Sequence, residues 1–241
     1  VWDSVTPAEE LLETMASLVR AGKIRYWGLS NAPAWYAAKI ATLARAHAMP
    51  GPIALQYFYS LVSREVEAEH LPLARDMGLG LMPWSPLAYG LLTGKYDRAV
   101  VEAGMPRASS LPTDVGTGVS RPDNDKRLDG SNPFGDTLFT ERNWRIVDTL
   151  RNVAEAIGET PARVALAWVL SKPGVDTALM GVSRVSQVHD NVAATELRLP
   201  AEQIAVLDEA SKPEGAMIYG LFTQAARRNL VFGGNNVVDR G

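Results

Sequence analysis

Apolar and polar positions repeat along this chain with two periods, one helical and one strand-like. "TPAEELLETMASLVRAGK" carries Leu11, Met15, Leu18 and Val19 as an apolar stripe, the spacing of an amphipathic helix. Thr6 is placed to cap it, with Pro7 at the first helical position, Glu9 completing a capping box, and Gly22 and Lys23 ending it. "KIRYWGLS" then reads as a buried strand, "PAWYAAKIATLARAH" as a helix and "GPIALQYF" as a strand. "EVEAEHLPLARDMG" follows as a helix that Pro72 can kink or interrupt, and "LGLMPWSPL" as a third strand. After an irregular stretch from about Tyr96 to Thr140 come two helices, "TERNWRIVDTLRNVAEAIG" and "TPARVALAWVLSK". "GVDTALMGVS" is predicted as a fourth strand, and "SQVHDNVAAT" and "PAEQIAVLDEAS" as two closing helices.

Strands separated by amphipathic helices predict an α/β protein with a parallel sheet. Runs such as "GLGLM" and "TALMG" predict strands buried on both faces. A dinucleotide glycine fingerprint is missing: Gly78 to Gly80 open a strand, and Gly116 to Gly118 precede no helix. A Rossmann domain is therefore disfavoured. Four strands amount to half of a (β/α)₈ barrel.

Ligand groups in parallel α/β folds gather at the carboxyl ends of strands. Those ends carry Ser30 and Asn31; Gln56, with Tyr57 and Tyr59 close behind; Trp84, Ser85 and Leu87; and Gly181, Ser183 and Arg184. Amides, a hydroxyl and an indole suit a flat heteroaromatic amide, which they can hydrogen-bond at its carboxamide and stack on at its ring. Each residue also has a plain structural explanation. Asn31 can be a turn residue or a helix cap, Gln56 a satisfied buried amide, and Trp84 a core residue. Ser183 and Arg184 precede a helix that starts near Ser186, where a phosphate is favoured by the helix N-terminus and an arginine. Gln187, Asp190 and Asn191 fall on one face of that helix, able to meet an adenine edge or simply to form a solvated surface.

With 241 residues, 46% hydrophobic and 21% charged, the chain has an ordinary globular composition. A net charge of −3 argues against a nucleic-acid partner, and no apolar run approaches the ~20 residues of a membrane span. The lack of cysteine excludes disulfides and thiolate chemistry. A cytoplasmic location is expected. The opening "VWDSVTP" lacks a Met and enters structure at once, so the chain is expected to begin inside a longer protein.

Together, "VRAGKIRYWGLSN", "LQYFYSLVSREVE", "PWSPLAYGLLTGKY" and "ALMGVSRVSQVHDN" resemble the aldo-keto reductases, above all their bacterial, aryl-alcohol-dehydrogenase-like and potassium-channel-β-subunit-like branches. The resemblance covers nearly the whole chain. It implies a (β/α)₈ TIM-type barrel that binds NADP(H), with NAD(H) accepted by some members, and that reduces aldehydes and ketones to alcohols. The chain would supply about the last four βα units plus the C-terminal helices, all in one domain over residues 1–241. By resemblance, Ser30, Asn31 and Gln56 hold the nicotinamide carboxamide and Trp84 stacks on its ring. Ser85, Leu87 and Gly90, with Lys95 nearby, cover the pyrophosphate. Gly181, Ser183, Arg184 and Gln187 hold the adenosine phosphate, and Asp190 and Asn191 meet the adenine. Residues 96–140 correspond to a lid-like loop over cofactor and substrate. Residues 212–241 correspond to a variable tail whose Tyr219, Phe222 and Phe232 could line a substrate pocket. "DNDKRLDG" has the wrong spacing for a calcium loop, and no metal is expected.

The family's catalytic Asp, Tyr, Lys and His match no position here, so the N-terminal, proton-donating half is expected to be absent and this chain alone inactive. Tyr59 is the residual proton-donor candidate, without a paired Lys. Two other readings stand beside the reductase. One is a non-catalytic nucleotide-binding or redox-sensing module; the other is a truncated half barrel that acts by association through its exposed edges.

Overall fold

The computed structural model describes residues 2–99, 101 and 135–235. The chain divides into two compact units, Val1–Ser211 and Lys212–Gly241. The first is built on a parallel sheet of β1 (Gly28–Ser30), β2 (Ala54–Phe58) and β3 (Gly80–Trp84), in the order β1-β2-β3. Helices α1 (Ala8–Arg20), α2 (Ala34–Ala46) and α3 (His70–Asp76) alternate with these strands. Further on come a short helix α4 (Gly135–Leu138), then α5 (Glu141–Ala156), α6 (Pro161–Leu170), α7 (Val185–Ala193) and α8 (Ala201–Ala210). The strands pair in register, so Ser30, Gln56 and Met82 lie side by side, and Phe58 lies beside Trp84. Gly28 permits the close approach of β1 to β2, since a Cβ there would sit 2.5 Å from the Ala54 carbonyl oxygen.

The predicted fourth strand does not form. Val175 makes an isolated parallel bridge to Leu81, and the N–H groups of Asp176 and Leu179 donate to the carbonyls of Leu81 and Pro83. The segment thus runs beside β3 without a regular ladder. The cause lies in β3's own donors: the Leu81 N–H goes to the Asp176 side chain at 3.2 Å, and Pro83 has no N–H to give. The sheet also departs from the two-sided burial expected. Leu29, Leu55, Tyr57 and Leu81 are buried, whereas Ser30, Gln56, Phe58, Met82 and Trp84 on the other face are only half-buried.

Helix starts follow the sequence at two places and differ at two. Thr140 and Thr160 cap α5 and α6 by accepting from the N–H groups of Asn143 and Arg163 at 3.1 and 3.3 Å. At α1 the expected capping box is not made. Pro7 itself is the N-cap, and Asp3 Oδ1 instead accepts from the N–H groups of Val5 and Thr6. The helix predicted from Glu65 splits into a 3₁₀ turn, Glu65–Glu67, and α3. The break precedes Pro72, which sits in the first turn of α3 where its missing N–H costs nothing.

Within the stretch of residues 96–140, residues 100 and 102–134 lie outside the described ones, and with them "DNDKRLDG" and Gly116 to Gly118. Its two flanks are drawn together by α5. Arg151 donates to the carbonyls of Gly94 and Tyr96, each at 3.0 Å, and Phe139 stacks on Trp144 and meets Tyr96 edge-on. The second unit has two short helices, α9 (Met217–Gly220) and α10 (Gln224–Leu230), with the rings of Tyr219 and Phe222 edge-on at 6.0 Å.

Candidate functional site

The carboxyl ends of the three strands bring Ser30, Asn31, Gln56 and Trp84 to one rim. Asn31 leaves β1 in the left-handed region, at φ 52°, and its N–H donates to the Gln56 carbonyl at 3.3 Å. Its side chain bridges two neighbours: Nδ2 donates to Ser30 Oγ at 3.0 Å, and Oδ1 accepts from Trp84 Nε1 at 3.1 Å. Asn31 is not the helix cap that its position suggested; Pro33 is the N-cap of α2, with no side-chain cap. Gln56 Nε2 has only the weak acceptor Met82 Sδ, at 3.7 Å. Trp84 is not a core residue. Phe58 stacks on it at 4.9 Å and 26°, and Tyr89 meets it edge-on at 6.2 Å. The rim therefore holds amide capacity that strong protein partners leave unspent, beside an aromatic stack.

From Trp84 the chain turns through a strained loop. Ser85, Ala88 and Tyr89 have φ values of 52°, 48° and 55°, a region that costs such residues energy and that clusters at functional sites. Ser85 Oγ accepts from the Tyr89 N–H at 3.2 Å, and the Leu87 carbonyl accepts from the N–H groups of Gly90 and Leu92. Gly90, at φ 93°, lies under the Lys95 side chain; a Cβ there would sit 2.9 Å from Nζ. The positive φ favours glycine there, and a side chain would have to displace the end of Lys95.

A second polar segment leaves the sheet at the same end, because Leu179 is hydrogen-bonded to Pro83 one residue before Trp84. Gly181, Ser183 and Arg184 are exposed there. The predicted shared face of α7 is only partly available. Gln187 Oε1 accepts from the N–H groups of Ser183 and Arg184 at 2.8 and 3.2 Å, which fixes the loop. Asp190 pairs with Arg163 at 2.9 Å, and Asn191 is buried at 8% exposure. Only Asp190 of the three presents an exposed group.

Tyr59 is not a proton donor at the rim. It is fully buried, its hydroxyl donates to Glu67 Oε1 at 2.6 Å, and its ring packs 5.8 Å from Trp168. Burial first, then the bond to Glu67, pushes its phenol far above the ordinary value. Around it Arg64 grips both Glu67 oxygens at 2.8 Å and donates to the Asp208 carbonyl and Ser211 Oγ. Lys172 pairs with Asp208 and lies over Trp168.

Sequence reasoning missed Phe58 and His70, and it set Tyr57 beside Gln56 at the strand end, whereas the structure turns Tyr57 to the other face. Phe58 was within reach, because it sits two residues from Gln56 and so shares its face. Tyr57 and His70 support the rim from behind: Tyr57 Oη donates to the Ala32 carbonyl at 2.7 Å, and His70 Nε2 lies 3.1 Å from the same oxygen. Among the described residues there is no cluster of His, Cys, Asp and Glu suited to a metal, and no helix long and apolar enough to cross a membrane.

Comparison with known proteins gives the family. A sequence model of the Aldo/keto reductase family matches residues 1–212. The chain is 33% identical over 207 residues to the uncharacterized oxidoreductase YrpG of Bacillus subtilis, covering 86% of this chain and 55% of that protein. It is also 33% identical over 223 residues to a probable voltage-gated potassium channel subunit beta of Oryza sativa, covering 90% and 62%. With the versiconal hemiacetal acetate reductase of Aspergillus parasiticus the identity is 28% over 212 residues, covering 88% and 55%. The chain thus spans a little over half the length of these relatives. On the family match over residues 1–212, the chain belongs to the aldo/keto reductase family.

Proposed function

We propose that this chain holds the nicotinamide nucleotide of an NADP(H)-dependent reductase that converts aldehydes or ketones to alcohols. The observation that carries this reading is the Trp84–Asn31 hydrogen bond with Gln56 beside it, which gathers amide, hydroxyl and indole groups at adjacent strand ends. The donor set fits a carboxamide. The second Asn31 amide N–H and the Ser30 hydroxyl can donate to its carbonyl, and Gln56 Oε1 can accept from its amino group. A pyridine ring would extend the Phe58–Trp84 stack. Ser85, Leu87, Gly90 and Lys95 would enclose the pyrophosphate. Gly181, Ser183, Arg184 and Gln187 would hold the adenosine phosphate, Arg184 favouring NADP(H) over NAD(H), and Asp190 would border the adenine. The bound nucleotide supplies hydride to the carbonyl carbon.

On this reading the sheet belongs to a (β/α)₈ barrel, of which the chain is the C-terminal part. The proton for the carbonyl oxygen then comes from elsewhere in the whole protein, so the 241-residue chain binds nucleotide without reducing a carbonyl. The likeness to proteins named channel β subunits favours one second reading, a nucleotide-binding or redox-sensing module without turnover. Titration with NADPH, followed by tryptophan fluorescence, tests the reading common to both. Saturable quenching that largely disappears in Trp84→Phe is expected; no quenching at millimolar nucleotide overturns it. Oxidation of NADPH by an aromatic aldehyde in the presence of the whole protein then separates reductase from sensor.

A further inference from the structure

We propose that Tyr57 and His70 are positioning residues for Asn31: together they clamp the Ala32 carbonyl and so hold the Asn31 amide against Trp84. This rests on the nucleotide-site reading for its functional consequence, though the clamp itself is a property of the free chain.

The Ala32 carbonyl oxygen has two lone pairs and two facing groups, Tyr57 Oη at 2.7 Å and His70 Nε2 at 3.1 Å. Because that oxygen can only accept, His70 carries its proton on Nε2 here. Its Nδ1 is buried and has no hydrogen-bond partner, so nothing else orients the ring through that atom. The rings of Tyr57 and His70 lie 4.3 Å apart and tilted, each limiting the other's rotation. Tyr57 is buried, and burial pushes its phenol up to about 12, which keeps the hydroxyl a donor through the neutral range.

Asn31 needs such support. A left-handed φ of 52° is uncommon for a residue with a side chain, but asparagine tolerates it better than most; what the surroundings must fix is the direction of its amide. One side of the residue is fixed by its own N–H on the Gln56 carbonyl, and the other by the clamped carbonyl of the next residue. Strand pleating explains how β2 does both jobs. Gln56 faces the rim, and Tyr57, one residue on, faces the helices and reaches around behind β1. α3 contributes His70 as its first residue.

The test uses the 241-residue chain with Tyr57→Phe, His70→Phe, His70→Gln and Asn31→Ala, and with Tyr59→Phe as a control. The first readout needs no ligand: the indole ¹H–¹⁵N signal of Trp84, assigned by its loss in Trp84→Phe. Tyr57→Phe and His70→Phe are expected to move it in the direction that Asn31→Ala does. His70→Gln, which can still present an amide N–H, is expected to restore it. Tyr59→Phe removes an equally buried hydroxyl and is expected to lower the melting temperature without moving the signal. The second readout is NADPH affinity, expected to fall about fivefold in Tyr57→Phe, the worth of one hydrogen bond. In an Asn31→Ala background the same change is expected to have no further effect. An unmoved Trp84 signal in folded Tyr57→Phe overturns the clamp, even if Asn31→Ala still abolishes binding. If the unaltered chain binds no NADPH, the nucleotide reading falls instead, and the indole signal alone decides the clamp. Should His70→Phe fail to fold, Tyr57→Phe with the Tyr59→Phe control decides it.

Discussion

Gln56 and Tyr59 stand three residues apart on one strand and its exit, yet they belong to polar clusters assembled in opposite ways. Around Tyr59, the groups are saturated and centred on buried ones: Arg64, at 9% exposure, fills both oxygens of the half-buried Glu67, the Asp208 carbonyl and the buried Ser211 Oγ, and lies over Trp168. Around Gln56, the groups are exposed or half-buried, and its own amide has only a thioether for company. Closed networks hold helices and loops together, because a buried charge left unpaired is costly. An open set at strand ends, held in strained backbone, has capacity left for something that is not protein. The difference separates the polar residues that maintain this fold from those that are available to serve it.

The largest expected effect comes from breaking the closed cluster. Arg64→Leu leaves the Glu67 carboxylate without its bidentate partner, and a loss of about 3–5 kcal/mol is expected. Urea denaturation measures it; a change under about 1 kcal/mol would mean that the cluster is solvated and not a structural tie. At the rim the expectation is reversed. Asn31→Gly relieves the positive φ while deleting the amide, so the unfolding midpoint should stay or rise as NADPH affinity drops about tenfold. A parallel loss of both would show that Asn31 is only a structural turn residue.

Alkaline titration sharpens the comparison next. Tyr57 is raised from 10 to about 12 and Tyr59 further, so both stay protonated in the folded chain while their unfolded counterparts ionise. The unfolded state then binds fewer protons, and stability, complete below pH 10, should fall as pH rises toward 12. Absorbance at the phenolate band should show Tyr57 and Tyr59 as the two latest tyrosines, behind Tyr36, which burial raises less, and Tyr57→Phe should remove one of them and flatten the stability decline. Smallest of all is Arg184→Ala. Its expected effect is a several-fold loss of NADPH affinity with NADH affinity and melting temperature unchanged; an unchanged ratio removes Arg184 from the 2′-phosphate.

How far the sequence led can be read from single residues. Thr160, ahead of Pro161, announced its helix because a cap needs only local chemistry. That Ser30, Asn31, Gln56 and Trp84 meet at one rim was legible because strand ends can be located by pattern. The fourth strand misled because its apolar run promised a ladder that β3, with Pro83 and a diverted Leu81 N–H, cannot complete. Parity along β2 could have excluded Tyr59: if Gln56 faces the rim, Phe58 joins it and Tyr57 turns away. His70 meets the Ala32 carbonyl across 38 positions of sequence, and no local pattern encodes such a meeting.

The central claim is that Asn31, Gln56 and Trp84 serve the nicotinamide end of the nucleotide. Comparing Gln56→Ala with the unaltered chain tests it most directly, using two ligands: NADPH and adenosine 2′,5′-bisphosphate, which lacks the nicotinamide. The account predicts that the substitution weakens NADPH several-fold and leaves the bisphosphate unchanged. Equal weakening of both, or of neither, would contradict it.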